Sequence, residues 1–464
     1  MGLLEREHPA YRDHKEMWQR YRDFYVGGEQ LRRSAPRYLV RRQKEPQDVY
    51  GERVSRAFYE NYLGSCIDWY AATLFRTEPG MELCTEDPAA KQFFRDFLAD
   101  SDRCGTSLFE LTKHTFIDAL VYGSSYALID FPRVDSAARN RAEEDECGLS
   151  RAYLTRVSPL ELVNWREDER GELDWAVVKT ERVFQESLDD PATVREERWS
   201  YYDRTDYRVF VRRRREGEGD APGAGQIELV SEGRHALAEL ERTPLVRMKV
   251  SDGLWLANKA ALLQQEHFNK SNALGWALHM GLFAMPVIYS EREWQQIVGE
   301  AYYIQLGPED RFGWTEPEGK VFEIAAENLD RLKDEIYRVC YLMTQSAGRE
   351  ARNLGQSGAS KKRDFAVTHE VLRSYAKTIK EFLRQTLALT AKARQDEIAF
   401  EISGLDDFDS PDLREEVETA GLLRELKLAS PRLEKEASKR VALRYLEGAS
   451  QKMKDLVLEE IEQG

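Results

Sequence analysis

The sequence is short of the residues that most often do chemistry. It holds only seven histidines, at positions 8, 14, 114, 235, 267, 279 and 369, and no two stand four apart. That spacing is how two imidazoles on one helix face hold zinc, and Glu266-His267 lacks a second histidine to complete it. The five cysteines, Cys66, Cys84, Cys104, Cys147 and Cys340, are odd in number and include no C-x-x-C pair. A disulfide framework and a cysteine-rich zinc site are thereby excluded, and reduced thiols made in a cytoplasm are implied. The phosphate-cradling loops G-x-x-x-x-G-K-[ST] and G-x-G-x-x-G, the H-E-x-x-H helix and the G-x-S-x-G nucleophile elbow are all missing.

Positive charge is scarce too: 68 basic residues against 83 acidic ones give a net charge of −15. A general phosphate-gripping surface is excluded, since such surfaces carry a basic stripe. The N-terminal stretch 1–32 is charged throughout and shows no apolar signal core. Long apolar runs are nearly absent. The one at 273–289 includes Gly275, His279, Gly281 and Pro286 and falls short of the roughly 20 residues a membrane span needs. It reads as a helix packed against protein.

What is present suffices for several cores. Hydrophobic residues make up 42% of the 464-residue chain, and this length suggests two to four structural units. Residues 6–33 read as helical with a break at Gly27-Gly28, and 48–76 as one helix in which Val54, Phe58, Tyr62, Cys66 and Trp69 recur at helical steps. A strand at 81–84 and a helix at 88–99 follow. The next helix, 105–122, has Thr106 or Ser107 as its N-cap and ends at Gly123, before a strand at 125–131. From 152 to 250 the alternation of apolar and polar residues predicts strands at 152–157, 160–165, 174–184, 197–202, 208–211, 226–230 and 244–250.

Beyond Ser251 a long helix, 253–283, leads to a small α/β insert at 285–324. That insert has strands at 286–290, 301–306, 311–315 and 320–324 and a short helix at 291–299. Helices at 326–343 and 360–394 flank a Gly/Ser-rich gap, and a strand at 397–402 precedes terminal helices at 411–427 and 431–463. The basic run Arg212–Arg215 stands beside the acidic Glu216–Asp220 and reads as a solvated strand end or a salt-bridged subunit contact. Asp406, Asp407 and Asp409 lack the glycine and the terminal glutamate of a calcium loop and read as a solvated turn. The gap at 344–363, TQSAGREARNLGQSGASKKR, is the most informative segment. It sets five cations, Arg349, Arg352, Lys361, Lys362 and Arg363, against Glu350 alone, in a chain that is otherwise acidic. Long glycine-rich loops between ordered helices are commonly functional.

Taken in order, these parts resemble the portal proteins of tailed bacteriophages. The phrases that carry the likeness are YGERVSRAFYENYLGSCIDWYAATLFRTEP at 50–79, GTSLFELTKHTFIDALVYGSSYALIDFP at 105–132, SPLELVNWREDERGELDWAVV at 158–178 and LASPRLEKEASKRVALRYL at 428–446. The resemblance covers essentially the whole chain and implies an α+β portal fold. Its parts would be a β-rich wing (1–250), a first stem helix (251–283), an α/β clip (284–324), a second stem helix (325–343), a tunnel loop (344–360), a long wing helix with a strand (361–409) and a helical crown (410–464).

By the same resemblance the chain would be a subunit of a dodecameric ring at the capsid vertex of a virion, assembled in the host cytoplasm. The ring would pass double-stranded DNA without reading it. Expected partners are the terminase large subunit, a head–tail adaptor and the major capsid protein or a scaffold, with no membrane, cofactor, metal or catalytic residue. Arg349, Arg352, Asn353, Gln356, Lys361 and Lys362 would meet DNA. Trp294, Tyr302, Tyr303, Phe312 and Trp314, more aromatics than so small a lobe needs for itself, would dock partners. A channel that must let DNA slide has physical use for an acidic lining and a few mobile cations, because each tight phosphate contact strengthens binding. Two readings from other classes stand beside this one: a metal-dependent nuclease or hydrolase using scattered carboxylates, and a soluble interaction scaffold.

Overall fold

A computed structural model describes residues 2–132, 151–187, 190–216, 225–235, 237–281, 285–289, 309, 311–315, 319–342 and 358–405, together with 417, 421–422, 430–446, 453, 456–458 and 460–461. The chain forms two units, Met1–Leu405 and Asp406–Gly464.

The first unit begins with four helices: α1 (Pro9–Val26), α2 (Gly28–Tyr38), α3 (Gln47–Ser55) and α4 (Tyr62–Leu74). Helices α1 and α4 pack on α7 (Leu256–Gly281), whose inward face mixes Leu256, Ala260, Ala261 and Phe268 with buried Gln264, Ser271 and Asn272, while α3 packs on α2. The polar members of that face pair with irregular backbone. The Asn272 carboxamide donates to the Phe58 carbonyl and accepts from the Phe58 N–H, both at 3.0 Å. Gln264 donates to the Glu60 carbonyl at 2.8 Å and accepts from the Leu63 N–H at 3.1 Å. Asn269 does the same for the Tyr38 carbonyl at 3.0 Å and the Val40 N–H at 2.8 Å.

These contacts explain a departure from the sequence pattern. The helix expected over 48–76 is two helices separated at 56–61, because the side chains of Asn61 and α7 satisfy backbone groups there. Asn61 caps α4 by accepting from the Gly64 N–H at 2.7 Å. Of the buried charges, Arg53 pairs with Glu45 at 2.8 Å, and Asp23 accepts from the Tyr38 hydroxyl at 2.6 Å and from the Gln19 and Gln30 carboxamides.

Two more helices follow, α5 (Pro88–Ala99) and α6 (Leu108–Tyr122), the latter capped by Ser107. Helix α6 ends at Gly123, whose φ of 87° is left-handed. Two indoles take up carbonyls at that end, Trp255 Nε1 donating to Val121 at 2.9 Å and Trp18 Nε1 to Tyr122 at 3.1 Å. A Cβ on residue 123 would meet the Trp255 ring at 3.0 Å, so the position requires glycine twice over.

The strands are β1 (Gly80–Cys84), β2 (Ser124–Asp130), β3 (Tyr153–Val157), β4 (Leu162–Glu167), β5 (Leu173–Ser187), β6 (Asp190–Tyr202), β7 (Asp206–Arg215), β8 (Glu228–Arg234) and β9 (Leu245–Lys249). They build a three-stranded sheet in the order β3-β2-β9 and a five-stranded antiparallel sheet in the order β4-β5-β6-β7-β8. Tyr126, Leu128, Val157 and Leu245 of the small sheet share a core with Ala176, Val178, Tyr202 and Val209 of the large one. Strict alternation places Val177 and Trp199 on the opposite face, under Leu4 and Tyr11.

Toward the distal end of β5–β7 the apolar pairs give way to charge. Glu197 lies between Lys179 at 2.7 Å and Arg212 at 2.6 Å, and the buried Glu196 between Arg182 and Arg213, each at 2.8 Å. Burial works against ionisation of Glu196, but the hydrogen bonds from Arg182 and Arg213 outweigh it and hold its carboxyl below the usual range. The basic run at 212–215 is therefore, at Arg212 and Arg213, a salt-bridged strand end.

After α7 come β10 (Met285–Tyr289) and β11 (Arg311–Thr315), paired antiparallel, then α8 (Gly319–Val339), α9 (Gly358–Arg394) and β12 (Ala399–Ser403). The strand β12 pairs with β1, Gly80 facing Ser403. The expectation of a strand at 320–324 is overturned: these residues open α8. The β-branched Val321 and Ile324 look extended locally. The longer stripe of Phe322, Ala325, Leu329, Leu332 and Ile336 has helical spacing and prevails, leaving Val321 and Ile324 in solvent. The apolar run at 273–289 is divided between α7 and β10, and no helix among the described residues is long and apolar enough to cross a membrane. In the second unit, α10 spans Pro431–Tyr445.

Two outcomes are expected. Replacing Asn272 with leucine removes both bonds to Phe58 and leaves a half-buried N–H and C=O without that partner, so chemical denaturation should show a loss of about 1–3 kcal/mol. The second concerns Asp118 on α6, where burial pushes the pKa up to about 6; Arg156 and Arg22 pull it down and Glu161 pushes it further up. The fold therefore holds this proton more tightly than the unfolded chain does. The group's contribution to stability is fully favourable below about pH 4, declines toward about pH 6 and is a constant cost above that. Asp118→Asn should raise the thermal midpoint at about pH 7.5 and leave it nearly unchanged at about pH 4.

Candidate functional site

The segment 343–357, which carries Arg349, Arg352, Asn353 and Gln356, lies outside the described residues, but both of its roots are in view. Helix α8 ends at Val339 and the chain turns through Cys340, Tyr341 and Leu342, with Tyr341 at a φ of 60°. A side chain other than glycine, asparagine or aspartate is uncommon in that region and must be held there by its surroundings.

Four elements hold it. The Tyr70 hydroxyl on α4 donates to the Cys340 carbonyl at 2.8 Å, and the Thr368 hydroxyl on α9 donates to the Tyr341 carbonyl at 2.6 Å. The Tyr341 hydroxyl donates to the Gly253 carbonyl at 3.0 Å, and the Lys259 ammonium both bonds to that hydroxyl and stands 4.4 Å from the ring centroid. Tyr375 completes the cluster: its hydroxyl donates to the Leu254 carbonyl at 2.6 Å while its ring meets Tyr70 edge-on at 5.3 Å and Phe116 at 5.2 Å. The start of α7, the end of α8 and the bodies of α4 and α9 are thus tied at one point.

The electrostatics favour holding over chemistry. Burial pushes the Tyr70 and Tyr375 phenols well above their ordinary range, so both remain protonated donors. The Cys66 thiol is hydrogen-bonded with Cys340 and buried, and both effects push its pKa far up, which leaves it an inert neutral thiol. His267, the neighbour of Glu266, is buried, and desolvation lowers its pKa while Glu60 pulls the other way. The four hydroxyls of the knot each donate to a backbone carbonyl and Lys259 donates to the Tyr341 hydroxyl, so among the described residues of the knot no nucleophile is paired with a base. Among the described residues no group of three or more histidine, cysteine or carboxylate side chains could hold a metal ion. A cleft of about 190 Å³ between α1 and the small sheet, lined by Trp18, Tyr126, Trp165 and Trp255, is smaller than the roughly 300 Å³ at which small-molecule sites begin.

The residues singled out from the sequence are distributed as follows. Lys361 and Lys362 belong to the first turns of α9, which starts at Gly358, while the four loop residues are not described. Of the five aromatics of the 284–324 lobe, Trp294, Tyr302 and Tyr303 lie outside the described residues. Phe312 and Trp314 are on β11, at register positions opposite Ile288 and Pro286. Asp406, Asp407, Asp409 and Cys147 also lie outside the described residues. Sequence reasoning missed Tyr70, Lys259, Tyr341, Thr368 and Tyr375. Thr368 and Tyr375 carry a faint signal, being hydrogen-bonding residues on the apolar stripe of α9, whereas nothing local marks the backbone of Tyr341.

No family model matches the chain, and no curated protein matches it. Solved structures of similar course exist. A chain in the neck of an empty gene transfer agent particle computed with C6 symmetry is 13% identical, with a TM-score of 0.43 over 79% of this chain and 86% of that one. A chain in the virion of a native gene transfer agent particle is 14% identical, with a TM-score of 0.40 over 84% and 92%. A third, in the neck of a native particle computed with C12 symmetry, is 13% identical, with a TM-score of 0.37 over 86% and 89%.

One outcome tests the knot itself. Tyr70→Phe removes the donor to the Cys340 carbonyl while keeping the ring, and should cost about 1–2 kcal/mol in denaturant titration. Tyr70→Phe combined with Thr368→Val should cost a different amount from the sum of the two single changes, because both hydroxyls hold the same turn.

Proposed function

We propose that the chain is the subunit of a portal-type ring, a passive channel for double-stranded DNA at a capsid vertex. In this reading α7 and α8 are the stem. The 284–324 lobe, with Trp294, Tyr302, Tyr303, Phe312 and Trp314, receives the terminase large subunit and later a head–tail adaptor. The wing, 1–250, with its N-terminal helices and β-rich part, faces the major capsid protein or a scaffold. Residues 344–360 form the tunnel loop, where Arg349, Arg352, Asn353 and Gln356 make transient backbone contacts with DNA, with Lys361 and Lys362 at its edge. No cofactor, metal or chemical step belongs to this role.

One observation carries the reading. The paired helices α7 and α8 leave large apolar side chains in solvent: Leu262 is 62% exposed, Leu278 42%, Val321 64% and Ile324 57%. A helix pair already packed on its own unit has no use for a second apolar set. Such a set marks a surface that another chain covers, and full burial of one such side chain is worth about 1.5–3 kcal/mol. Repeated copies of one chain that meet through unlike faces close into a ring when the rotation permits. The knot around Tyr341 supports the same reading, since it fixes both ends of a loop against which a moving polymer would pull. The phrase-by-phrase likeness to portal proteins at 50–79, 105–132, 158–178 and 428–446 points the same way.

Light scattering after size exclusion, with negative-stain images, should find rings of about twelve subunits. Leu262→Glu together with Ile324→Glu should leave the circular-dichroism spectrum and thermal midpoint of the subunit intact while abolishing the ring. A chain that stays monomeric at every concentration and ionic strength, or a double variant that still assembles, removes the basis of the proposal.

A further inference from the structure

Helix α9 reverses the charge of the chain that contains it. Between 358 and 394 it has nine cations (Lys361, Lys362, Arg363, Arg373, Lys377, Lys380, Arg384, Lys392 and Arg394) against the three acids Asp364, Glu370 and Glu381, while the whole protein carries −15. Its inner side is apolar, with Leu372, Tyr375, Ile379, Phe382, Leu383 and Leu387 buried. Its outer side exposes Arg373, Lys377, Arg384 and Lys392. At 100° per residue these four fall within an arc of about 100°, and Lys377 to Lys392 spans about 22 Å along the axis. Arg373 is paired with Glu370 and Glu381 with Gln385, but Lys377, Arg384 and Lys392 meet no carboxylate among the described residues.

This is an unusual place to leave three cations unpaired in an acidic protein with carboxylates to spare. A contact with a second copy would use a different surface, because the core of a protein interface is depleted in charge and built on large apolar anchors. Between 370 and 392 this face has no exposed large hydrophobic residue; the helix's only one among the described residues is Val367, at the loop end. Glu370 and Glu381 share this arc, the first taken up by Arg373 and the second bonded to Gln385, so the face keeps an excess of cations that suits a regular polyanion, whose phosphates need charge and no pocket.

We propose that the outer face of α9 is a second contact for the phosphate backbone of duplex DNA, separate from residues 344–360. Lys377, Arg384 and Lys392 each meet a phosphate, without reading sequence. The contact shares with the proposed function the premise that duplex DNA reaches this protein, but it does not depend on the ring or on the loop.

The experiment uses the full chain and a fluorescein-labelled duplex of about 30 base pairs, with anisotropy followed across a salt series. Each lost phosphate contact lowers the slope of log affinity against log salt by about 0.9, so changing Lys377, Arg384 and Lys392 together to glutamine should flatten it by about 2.7. The mass and thermal midpoint of the variant should match those of the parent. A parent chain that does not bind the duplex at low salt overturns the inference, as does a triple variant with an unchanged slope. A triple variant that loses its oligomeric mass overturns it too, by making the face a contact between copies. The two proposals fail separately. Rings whose slope is insensitive to these residues leave the portal reading standing alone, and a monomer whose DNA binding depends on them leaves this contact standing alone. Arg349→Glu with Arg352→Glu should leave the α9 increment of about 2.7 in place.

Discussion

The fold of the first unit depends on one constraint, that a chain which bends must still satisfy its backbone. The N-terminal third changes direction at 39–46 and at 56–61, and each bend frees N–H and C=O groups from helix bonding. Asn269, Asn272 and Gln264 on α7 meet them with a group of matching shape, a carboxamide that offers a donor and an acceptor side by side. An apolar helix at the same place could fill the space and would leave these groups bare. A charged one would meet one partner and repel the other. Neutral amides on a mostly apolar helix solve both problems at once, and α1, α4 and α6 can then pack on α7 as ordinary hydrophobic helices.

That central helix also links the remaining parts. The turn that leads into it provides the carbonyls of Gly253 and Leu254 to the phenols of Tyr341 and Tyr375, so the turn after α8 is fixed beside the element that fixes the N-terminal helices. The indole of Trp255, just before α7, closes α6 and constrains Gly123, from which β2 enters the small sheet. The β-rich part then follows its own rule. Where β5–β7 face the small sheet the pairs are apolar, and where they extend beyond it the pairs are Lys179–Glu197–Arg212 and Arg182–Glu196–Arg213. The Lys179–Glu197–Arg212 ions border the Trp199 cluster, where Arg212 also pairs with Glu5 of the N-terminal segment.

Legibility in the sequence followed the range of the interaction. Period and caps are local, and they placed the helices at 88–99, 108–122 and 358–394 and every strand between 153 and 249, to within a few residues in most cases. The gap before Tyr62 was not legible, because it rests on Gln264 and Asn272, some two hundred residues away. The opening of α8 was misread because Val321 and Ile324 are β-branched, as strand residues commonly are. They look that way because they do not serve the interior of their own unit. The knot around Tyr341 was invisible for the same reason as the gap: a positive φ enforced by Thr368, Tyr70 and Lys259 leaves no trace at position 341 itself. The loop cations stood out by composition alone, since charge contrast needs no structure to be seen.

The pairing of β1 with β12 has a consequence in time. Gly80 and Ser403 are neighbours in the structure and more than three hundred residues apart along the chain. As the ribosome delivers the protein, β1 emerges early with an unpaired edge, and its partner appears only when most of the first unit has been synthesised. Loops of that length close slowly, and bare strand edges are where nascent chains find wrong partners. The final closure of this unit is therefore a late event in synthesis, and any copy that ends before residue 399 leaves the ribosome with that edge still open.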